Sequence, residues 1–355
     1  MLQSSPTNQL NRQHISTKEP YRGLDRQLSI WQPSRESEIM FLLYLSLNLL
    51  AACLSTIYLS QMQDSQMQDI VVPNILVAAA SGALTSCILN RILANLNIDR
   101  RWRYPMPLLL AASQFTVLHS NSGLVEAISV LLGTLSVYLV LAWHRTSSLQ
   151  PLVSLGFVLG LASVTRYEAL LNILPVLGTV WLLARSADNR PSGYVQGLLI
   201  VTLIPALFVF CSWVLLDCIT TRDPLHFIRD GHYSALRIDV GVRDAAGPLP
   251  GGGSLDIIWQ LLSEKLILAL LPLLAIGVAL LAADYLLSRN ELSLTLAVLT
   301  LILPILQYLT SWGIRGVPSP RGFSLAVPLT IMIAGQVISR IGMSRAGLKG
   351  WKIDG

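Results

Sequence analysis

Near its middle the chain reads Gly197-Leu-Leu-Ile-Val-Thr-Leu-Ile-Pro-Ala-Leu-Phe-Val-Phe-Cys-Ser-Trp-Val-Leu-Leu216, a run of 20 residues without a charged side chain. An α-helix rises 1.5 Å per residue, so this run would be about 30 Å long as a helix, the thickness of the hydrocarbon core of a bilayer. Its apolar residues do not alternate with polar ones, as the strands of a membrane β-barrel require. The run therefore predicts a membrane-spanning helix.

The composition of the whole chain points the same way. Charged residues make up 13% of the 355 residues, about half the roughly 25% of an ordinary soluble domain. Apolar types fill 53% of the chain and the mean hydropathy is +0.58, which excludes a disordered protein. The net charge of +5 is expected to reflect basic cytoplasmic loops, so no nucleic-acid partner is predicted. We expect an integral membrane protein whose solvent and partner is membrane lipid.

Other apolar runs predict an all-α polytopic protein with about ten transmembrane helices. They begin near Met40, Ile70, Pro105, Leu124, Leu149, Glu168, Gln196, Leu266, Leu292 and Phe323. The runs on either side of Arg166 and Glu168 can also be one long apolar stretch with a charged break. The predicted divisions are a polar cytoplasmic tail at 1–38, a first group of about seven spans at 39–217, an extracytoplasmic loop at 218–264, a last group of about three spans at 265–340 and a basic cytoplasmic tail at 341–355.

The distribution of Lys and Arg predicts the orientation of these spans. On an alternating ten-span path, 17 of the 25 basic residues fall on the side that holds both termini and 8 on the other. Because cytoplasmic loops carry the basic excess, both termini are predicted to be cytoplasmic, in a bacterial inner membrane. The amino terminus lacks a short apolar core, so no cleavable signal peptide is expected. In the long outer loop, Pro224–Arg237 has the spacing of an interfacial helix, and Gly247–Ser254 has the composition of a hinge.

Four short motifs follow one another along the chain. They are Ser122-Gly-Leu-Val-Glu-Ala-Ile-Ser129, Gly160-Leu-Ala-Ser-Val-Thr-Arg-Tyr-Glu-Ala-Leu170, Asp223-Pro-Leu-His-Phe227 with Tyr233-Ser-Ala235, and Ser319-Pro-Arg321. Their order and spacing over residues 70–340 resemble the GT-C superfamily of membrane glycosyltransferases, in particular the bacterial relatives of the protein O-mannosyltransferases and the aminoarabinose transferase of lipid A. Gly322 stands where that family has an aromatic residue.

The resemblance implies an enzyme that transfers a sugar from a polyprenyl-phosphate carrier to an acceptor hydroxyl on the extracytoplasmic face. Such a reaction needs a carboxylate to accept the hydroxyl proton and cations to stabilise the phosphate leaving group. Family members carry the catalytic acid in a long first outer loop, whereas this loop is only Gln61–Asp69. Asp64 and Asp69 are the acids there that could carry the role. If the first span of this chain instead matches the second of the family, the base is missing.

Two further carboxylates and three arginines complete the predicted site. Glu126 stands one turn into an apolar run, where a charge faces a polar cavity or is stabilised by the helix dipole. Glu168 would cap the next helix. Phosphate binding is predicted for Arg166, Arg315 and Arg321, because guanidinium groups bind phosphate oxygens in pairs, although arginines at such positions also anchor helices in the headgroups.

The polar loop residues are predicted to contact the substrate or to solvate the loop. They are His119, Asp223, His226, His232 and Tyr233. Their spacing gives no metal site, and no cofactor is predicted beyond the lipid-linked sugar donor. The four cysteines lie in or beside apolar runs as small packing residues. Two other functions remain open: a noncatalytic membrane subunit with membrane protein partners, and a transporter or flippase of lipid-linked material.

Overall fold

The structure is a computed structural model that describes residues 42–44, 46, 68–96, 98–108, 110, 123–186, 192–223, 274–283, 285–286, 291–315 and 325–337. They all lie in one compact unit, Ile39–Gly355. Every regular element in these ranges is a helix, and no strand occurs among them. The prediction of an all-α chain is confirmed for the part that the structure describes.

The main helices vary widely in length. In chain order they are α1 (Gln68–Asn95), α2 (Arg100–Arg103), α3 (Gly123–Thr146), α4 (Gln150–Thr165), a 3-10 helix (Tyr167–Asn172), α5 (Ile173–Ser186), α6 (Ser192–Thr221), α7 (Leu274–Ala283), α8 (Glu291–Arg315) and α9 (Ala326–Val337). The most extensive packing joins α4 to α6, α1 to α3, and α3 to α4, while α8 packs on α5 and the 3-10 helix.

Three of the described helices are long and apolar enough to cross a membrane. Their apolar segments are Leu76–Asn95 with a mean hydropathy of 1.5, Val125–Thr146 with 2.0 and Ser192–Thr221 with 2.6. The 16 residues of α4 rise about 24 Å, less than the roughly 30 Å of the hydrocarbon core. The membrane character of the chain is therefore supported, and the number of about ten spans stays a prediction.

The surface of α6 is mostly apolar and uncovered. In the most apolar part of this helix 22% is buried, against 61% in α1 and in α3. Phe208 is 65% exposed in the middle of the helix. Large exposed side chains of the same helix are Ile200, Ile204, Leu207, Leu215, Leu216 and Ile219. A soluble protein rarely leaves so long an apolar face in water, whereas a bilayer covers it without cost.

Several buried hydroxyl groups find their hydrogen-bond partners within their own helices. The hydroxyl of Ser163 donates to the Leu159 carbonyl at 2.9 Å, and that of Thr202 donates to the Leu198 carbonyl at 3.0 Å. The same four-residue pattern occurs at Ser81, Thr85, Thr134, Ser136 and Thr330. Because each of these groups is satisfied locally, the helices can pack in an apolar medium without an unpaired polar group at these positions.

Two glycines let α4 lie against the backbone of α6. A Cβ atom at Gly156 would collide with the Thr202 carbonyl oxygen and lie 3.0 Å from Pro205 Cβ. A Cβ atom at Gly160 would lie 3.0 Å from the Ala206 carbonyl oxygen. Small residues four apart allow this close approach between membrane helices, where van der Waals contact replaces the hydrophobic effect. From Gly156 to Gly160 along α4, the contacted residues of α6 advance from Thr202 to Ala206. The two helices therefore run parallel.

The ends of α1 and α3 are joined by a side chain. Arg145 Nη1 donates to Asn95 Oδ1 at 3.1 Å, and Nη2 donates to the Asn95 carbonyl oxygen. Both residues stand at the carboxyl ends of their helices, so α1 and α3 run parallel. The guanidinium group covers a terminal carbonyl of α1 and opposes the negative end of its dipole.

Candidate functional site

Glu126 and Arg166 lie at the same end of the helix group. The residues 147–149 connect α3 to α4, and the two helices pack on each other, so they are antiparallel. At 1.5 Å per residue, Glu126 lies roughly 30 Å from this connection and Arg166 roughly 25 Å from it. The hairpin therefore carries the predicted carboxylate and the predicted phosphate-binding arginine away from the connection, to its far end.

The carboxylate of Glu126 is withdrawn from the surface. The residue stands in the first turn of α3 and is 5% exposed. Its helix is otherwise apolar, so an ionised carboxylate here needs the helix dipole, a polar partner or a polar cavity to offset its desolvation. The glutamate therefore lies within the protein at a helix start, and its role in the site stays a prediction.

Arg166 stands where the chain leaves one helix and enters another. Its backbone is extended, with φ −144° and ψ 111°. Its N–H still donates to the Ala162 carbonyl at 2.9 Å, and its own carbonyl accepts the N–H of Ala169 at 2.8 Å. The side chain is half-buried. Arg166 therefore ends α4 and opens the 3-10 helix, so the apolar stretch is interrupted at the position that the sequence analysis had marked.

Five of the seven described acids are placed at the end of the group that holds Glu126. Because α1 runs parallel to α3, the start of α1 lies beside the start of α3 at this end. Because α6 runs parallel to α4, the end of α6 lies here beside the end of α4. We call it the acidic end, defined by Asp69, Glu126, Glu168, Asp217 and Asp223. Arg166 and Arg222 lie there as well.

The opposite end is rich in arginine. We call it the basic end, defined by Arg91, Arg100, Arg101, Arg103, Arg145 and Arg185. Asp99 lies beside these arginines in the chain. The two ends of the same helices thus carry opposite charge, and Glu126, Arg166 and Asp223 of the predicted site lie at the acidic end.

Asp223 lies just past the end of α6. Its N–H donates to Thr221 Oγ1 at 3.3 Å, and the Thr221 hydroxyl donates to the Asp223 carbonyl at 3.2 Å. Its side chain is half-buried. This turn fixes the backbone of Asp223 at the acidic end, where the sequence analysis expected a substrate-contacting residue.

The remaining predicted residues are described in part or lie outside the described ranges. For Asp69 in α1, Glu168 in the 3-10 helix and Arg315 at the end of α8, the structure describes the backbone alone. Outside the described residues lie Asp64, His119, His226, His232, Tyr233 and Arg321. Their assignment to the site stays a prediction.

One basic residue of the acidic end was missed by the sequence analysis. Arg222 has φ 60°, and its N–H donates to the Cys218 carbonyl at 2.9 Å. A left-handed residue at this position commonly ends a helix, and glycine is its usual occupant. Because arginine stands there instead, no glycine marked the left-handed turn, and the exposed guanidinium group beside the end of α6 was not predicted.

The acidic end holds charged groups in different surroundings. It combines a buried carboxylate, a half-buried arginine at a helix break and an exposed arginine at a helix end. In the part of the chain that the structure describes, no three His, Cys, Asp or Glu side chains are grouped as metal ligands. The chain matches no family model, no curated protein and no solved structure.

Proposed function

We propose that the chain is a polytopic membrane protein that transfers a sugar from a polyprenyl-phosphate carrier to an acceptor hydroxyl at its acidic end. The observation that supports this most is the placement of buried Glu126 and half-buried Arg166 at the same end of one antiparallel hairpin. A carboxylate can accept a proton or orient a hydroxyl, and a guanidinium group can bind the phosphate of a lipid carrier. Both groups stand where an apolar helix meets its end, the depth at which a lipid-linked phosphate would lie.

The proposed orientation places the acidic end outside the cytoplasm. Cytoplasmic segments of membrane proteins carry the excess of Lys and Arg. The basic end, with its arginines on α1, α2, α3 and α5, is the natural cytoplasmic side. The carrier phosphate would then be bound in the outer leaflet.

The residues have separate roles in this proposal. Arg166 binds the carrier phosphate, with Arg315 and Arg321 as further cations. Asp64 or Asp69 accepts the proton of the acceptor, and Glu126 and Glu168 order the site around it. The polar residues from Asp223 to Tyr233 and His119 contact the sugar.

A binding experiment tests the phosphate role without knowledge of the acceptor. The full chain in lipid nanodiscs would be titrated with a polyprenyl phosphate and with the matching polyprenol, which has no phosphate. Wild type is expected to prefer the phosphate, and Arg166→Gln is expected to lose most of that preference. Arg185→Gln, which removes the same positive charge at the basic end, is the matched control and should behave as wild type. Equal binding of both lipids by wild type would contradict the proposal.

A transfer experiment tests the carboxylates. The reconstituted chain would receive a labelled polyprenyl-phosphate hexose and a membrane extract as the source of acceptor. Loss of a general base costs about 10²- to 10⁴-fold in rate, so Asp64→Asn or Asp69→Asn should fall by that amount. If Glu126→Gln falls so far and both aspartate variants do not, Glu126 is the base. If wild type transfers no sugar but copurifies with other membrane proteins, the chain is a noncatalytic subunit.

A further inference from the structure

A short basic and aromatic segment follows α1 at the basic end. It consists of α2, Arg100-Arg-Trp-Arg103, and Tyr104 directly after it. Arg101 is exposed and Trp102 is 47% exposed. The segment is held against α1 through buried Ile98, whose N–H donates to the Leu93 carbonyl at 3.1 Å. Arginine and tryptophan side by side at the end of a membrane-length helix are typical of the headgroup region of a bilayer.

Arg103 makes two contacts with the neighbouring tyrosine. Its Nη2 donates to the Tyr104 hydroxyl at 2.9 Å, and its guanidinium carbon lies 5.0 Å from the centroid of the Tyr104 ring. Its Nε is buried and has no hydrogen-bond partner within the described residues. A buried donor without an acceptor costs free energy, and an anionic oxygen would remove that cost.

Two other arginines of the basic end already have partners. Arg145 is bonded to Asn95, and Arg185 lies over the Trp181 ring, 5.2 Å from its centroid. These two side chains hold helices together or lie along their own helix. Arg101 is exposed as these two are, whereas Arg103 differs from them because it keeps a buried donor without a partner among the described residues.

Buried amide groups at the same end offer further hydrogen-bonding capacity. Asn90, close to the end of α1, and Gln336 in α9 are 9% and 6% exposed, and each has a buried side-chain oxygen without a partner within the described residues. Gly335, next to Gln336, packs against Leu93 and Ile98. Gln336 therefore lies near the same end of α1 as Asn90, and since amide oxygen and nitrogen are nearly indistinguishable, each amide can also present a donor.

We propose that the basic end binds the phosphate of an anionic membrane lipid, with Arg101 and Arg103 as its main cationic contacts. The planar guanidinium of Arg103 suits paired bonds to phosphate oxygens, and Arg101 adds charge at the surface. Free phosphate has the same chemistry, but exposed Trp102 beside the arginines favours a lipid, whose acyl chains and glycerol backbone it would contact. This binding site is distinct from the proposed transfer site, which lies at the other end of the helices.

The test is a lipid titration of the full chain in detergent micelles, read by native mass spectrometry. The probes are a phosphatidylglycerol and a phosphatidylcholine with the same acyl chains. Wild type is expected to retain phosphatidylglycerol selectively. The double variant R101Q/R103Q should bind it about 25-fold more weakly, which corresponds to about 1 kcal/mol for each arginine near an anionic lipid.

The matched control is R185Q/R222Q, which removes the same charge elsewhere and should bind as wild type does. Equal weakening in the control would overturn the proposal, because it would show a general effect of charge. Displacement of the lipid by inorganic phosphate at equal concentration would overturn the lipid assignment. If R101Q/R103Q does not elute as a single species, R101K/R103K takes its place in the titration. This variant keeps both positive charges but lacks the planar guanidinium groups. Wild-type affinity of R101K/R103K would therefore overturn the role of the guanidinium groups. R166Q should leave this binding unchanged, which separates the result from that of the proposed transfer site.

Discussion

At the scale of single residues, glycine sets the distance between two helices. Gly156 faces the Thr202 carbonyl and Pro205 of α6 at a spacing that leaves no room for a side chain. Pro205 has no N–H, so a carbonyl one turn earlier in α6 lacks its usual partner. The close contact with α4 falls at this weak point of the helix, where a tight neighbour stabilises the backbone most.

Replacing Gly156 by alanine should lower the stability of the protein. The new methyl group has to displace backbone atoms of α6, and overpacking of this kind costs about 1–3 kcal/mol. The measurement is the unfolding midpoint of the reconstituted protein in a denaturing detergent titration. Gly197→Ala is the matched control, because a Cβ atom there meets nothing within 4 Å. It should be neutral or raise stability by up to about 1 kcal/mol. Equal effects of the two substitutions would contradict the packing of α4 on α6.

At the scale of elements, α6 has two different faces. Leu198, Thr202 and Ala206 are buried against the group, while Ile204 and Phe208 are exposed. The buried positions are four apart, which is close to the 3.6-residue turn of an α-helix. A helix of this kind packs by one narrow stripe and leaves the rest of its circumference to lipid.

A charge on the lipid face of α6 should oppose its insertion. We expect Phe208→Arg to shift the apparent free energy of insertion by about 2.5–3.5 kcal/mol, since the residue lies near the middle of the helix. The measurement is glycosylation of an acceptor site placed in Gly251–Ser254 of the full chain, during synthesis with microsomes. Tyr194→Arg is the control near the start of the helix, where the side chain can reach the headgroups, and its shift should be much smaller. Similar shifts at both positions would argue against a membrane position for this helix.

At the scale of the whole molecule, charge divides the helix group into two ends. Arginines of four helices meet at the basic end, and the acids of α1, α3, the 3-10 helix and α6 meet at the acidic end. Successive helices run in alternating directions, so the helix ends that are rich in arginine and those that are rich in acids are collected at opposite ends of the group. In the proposed membrane position this division of charge favours the orientation with the basic end in the cytoplasm.

Single cysteines at the two ends should be labelled from opposite sides. In a background without the four native cysteines, Thr221→Cys at the exposed end of α6 is expected to react with an impermeant maleimide added to intact cells. Gln150→Cys at the start of α4 should react only after the membrane is permeabilised. The measured quantity is the labelled fraction before and after permeabilisation. The reverse pattern would invert the proposed orientation, and labelling of both from outside would show that α4 and α6 do not cross.

Much of the acidic end could be placed from the sequence because its signals are local. A charged residue inside an apolar run is rare and indicates a polar environment or a break in the helix. Glu126 and the break at Arg166 were both recognised in this way. Arg222 was not recognised, since its left-handed backbone depends on how α6 ends and no glycine marks that end.

The sequence by itself determined that the chain is helical, apolar and biased in charge. These properties follow from the composition and from the length and polarity of the apolar runs. Length and polarity are also what decides whether a segment can span a bilayer. Only the tertiary structure decided which helices touch, that α4 runs parallel to α6, and that Arg145 joins α3 to α1. Between helices in lipid the hydrophobic effect discriminates little, so the choice of neighbour depends on shape, as at Gly156 and Gly160, and on single hydrogen bonds between residues far apart in the chain.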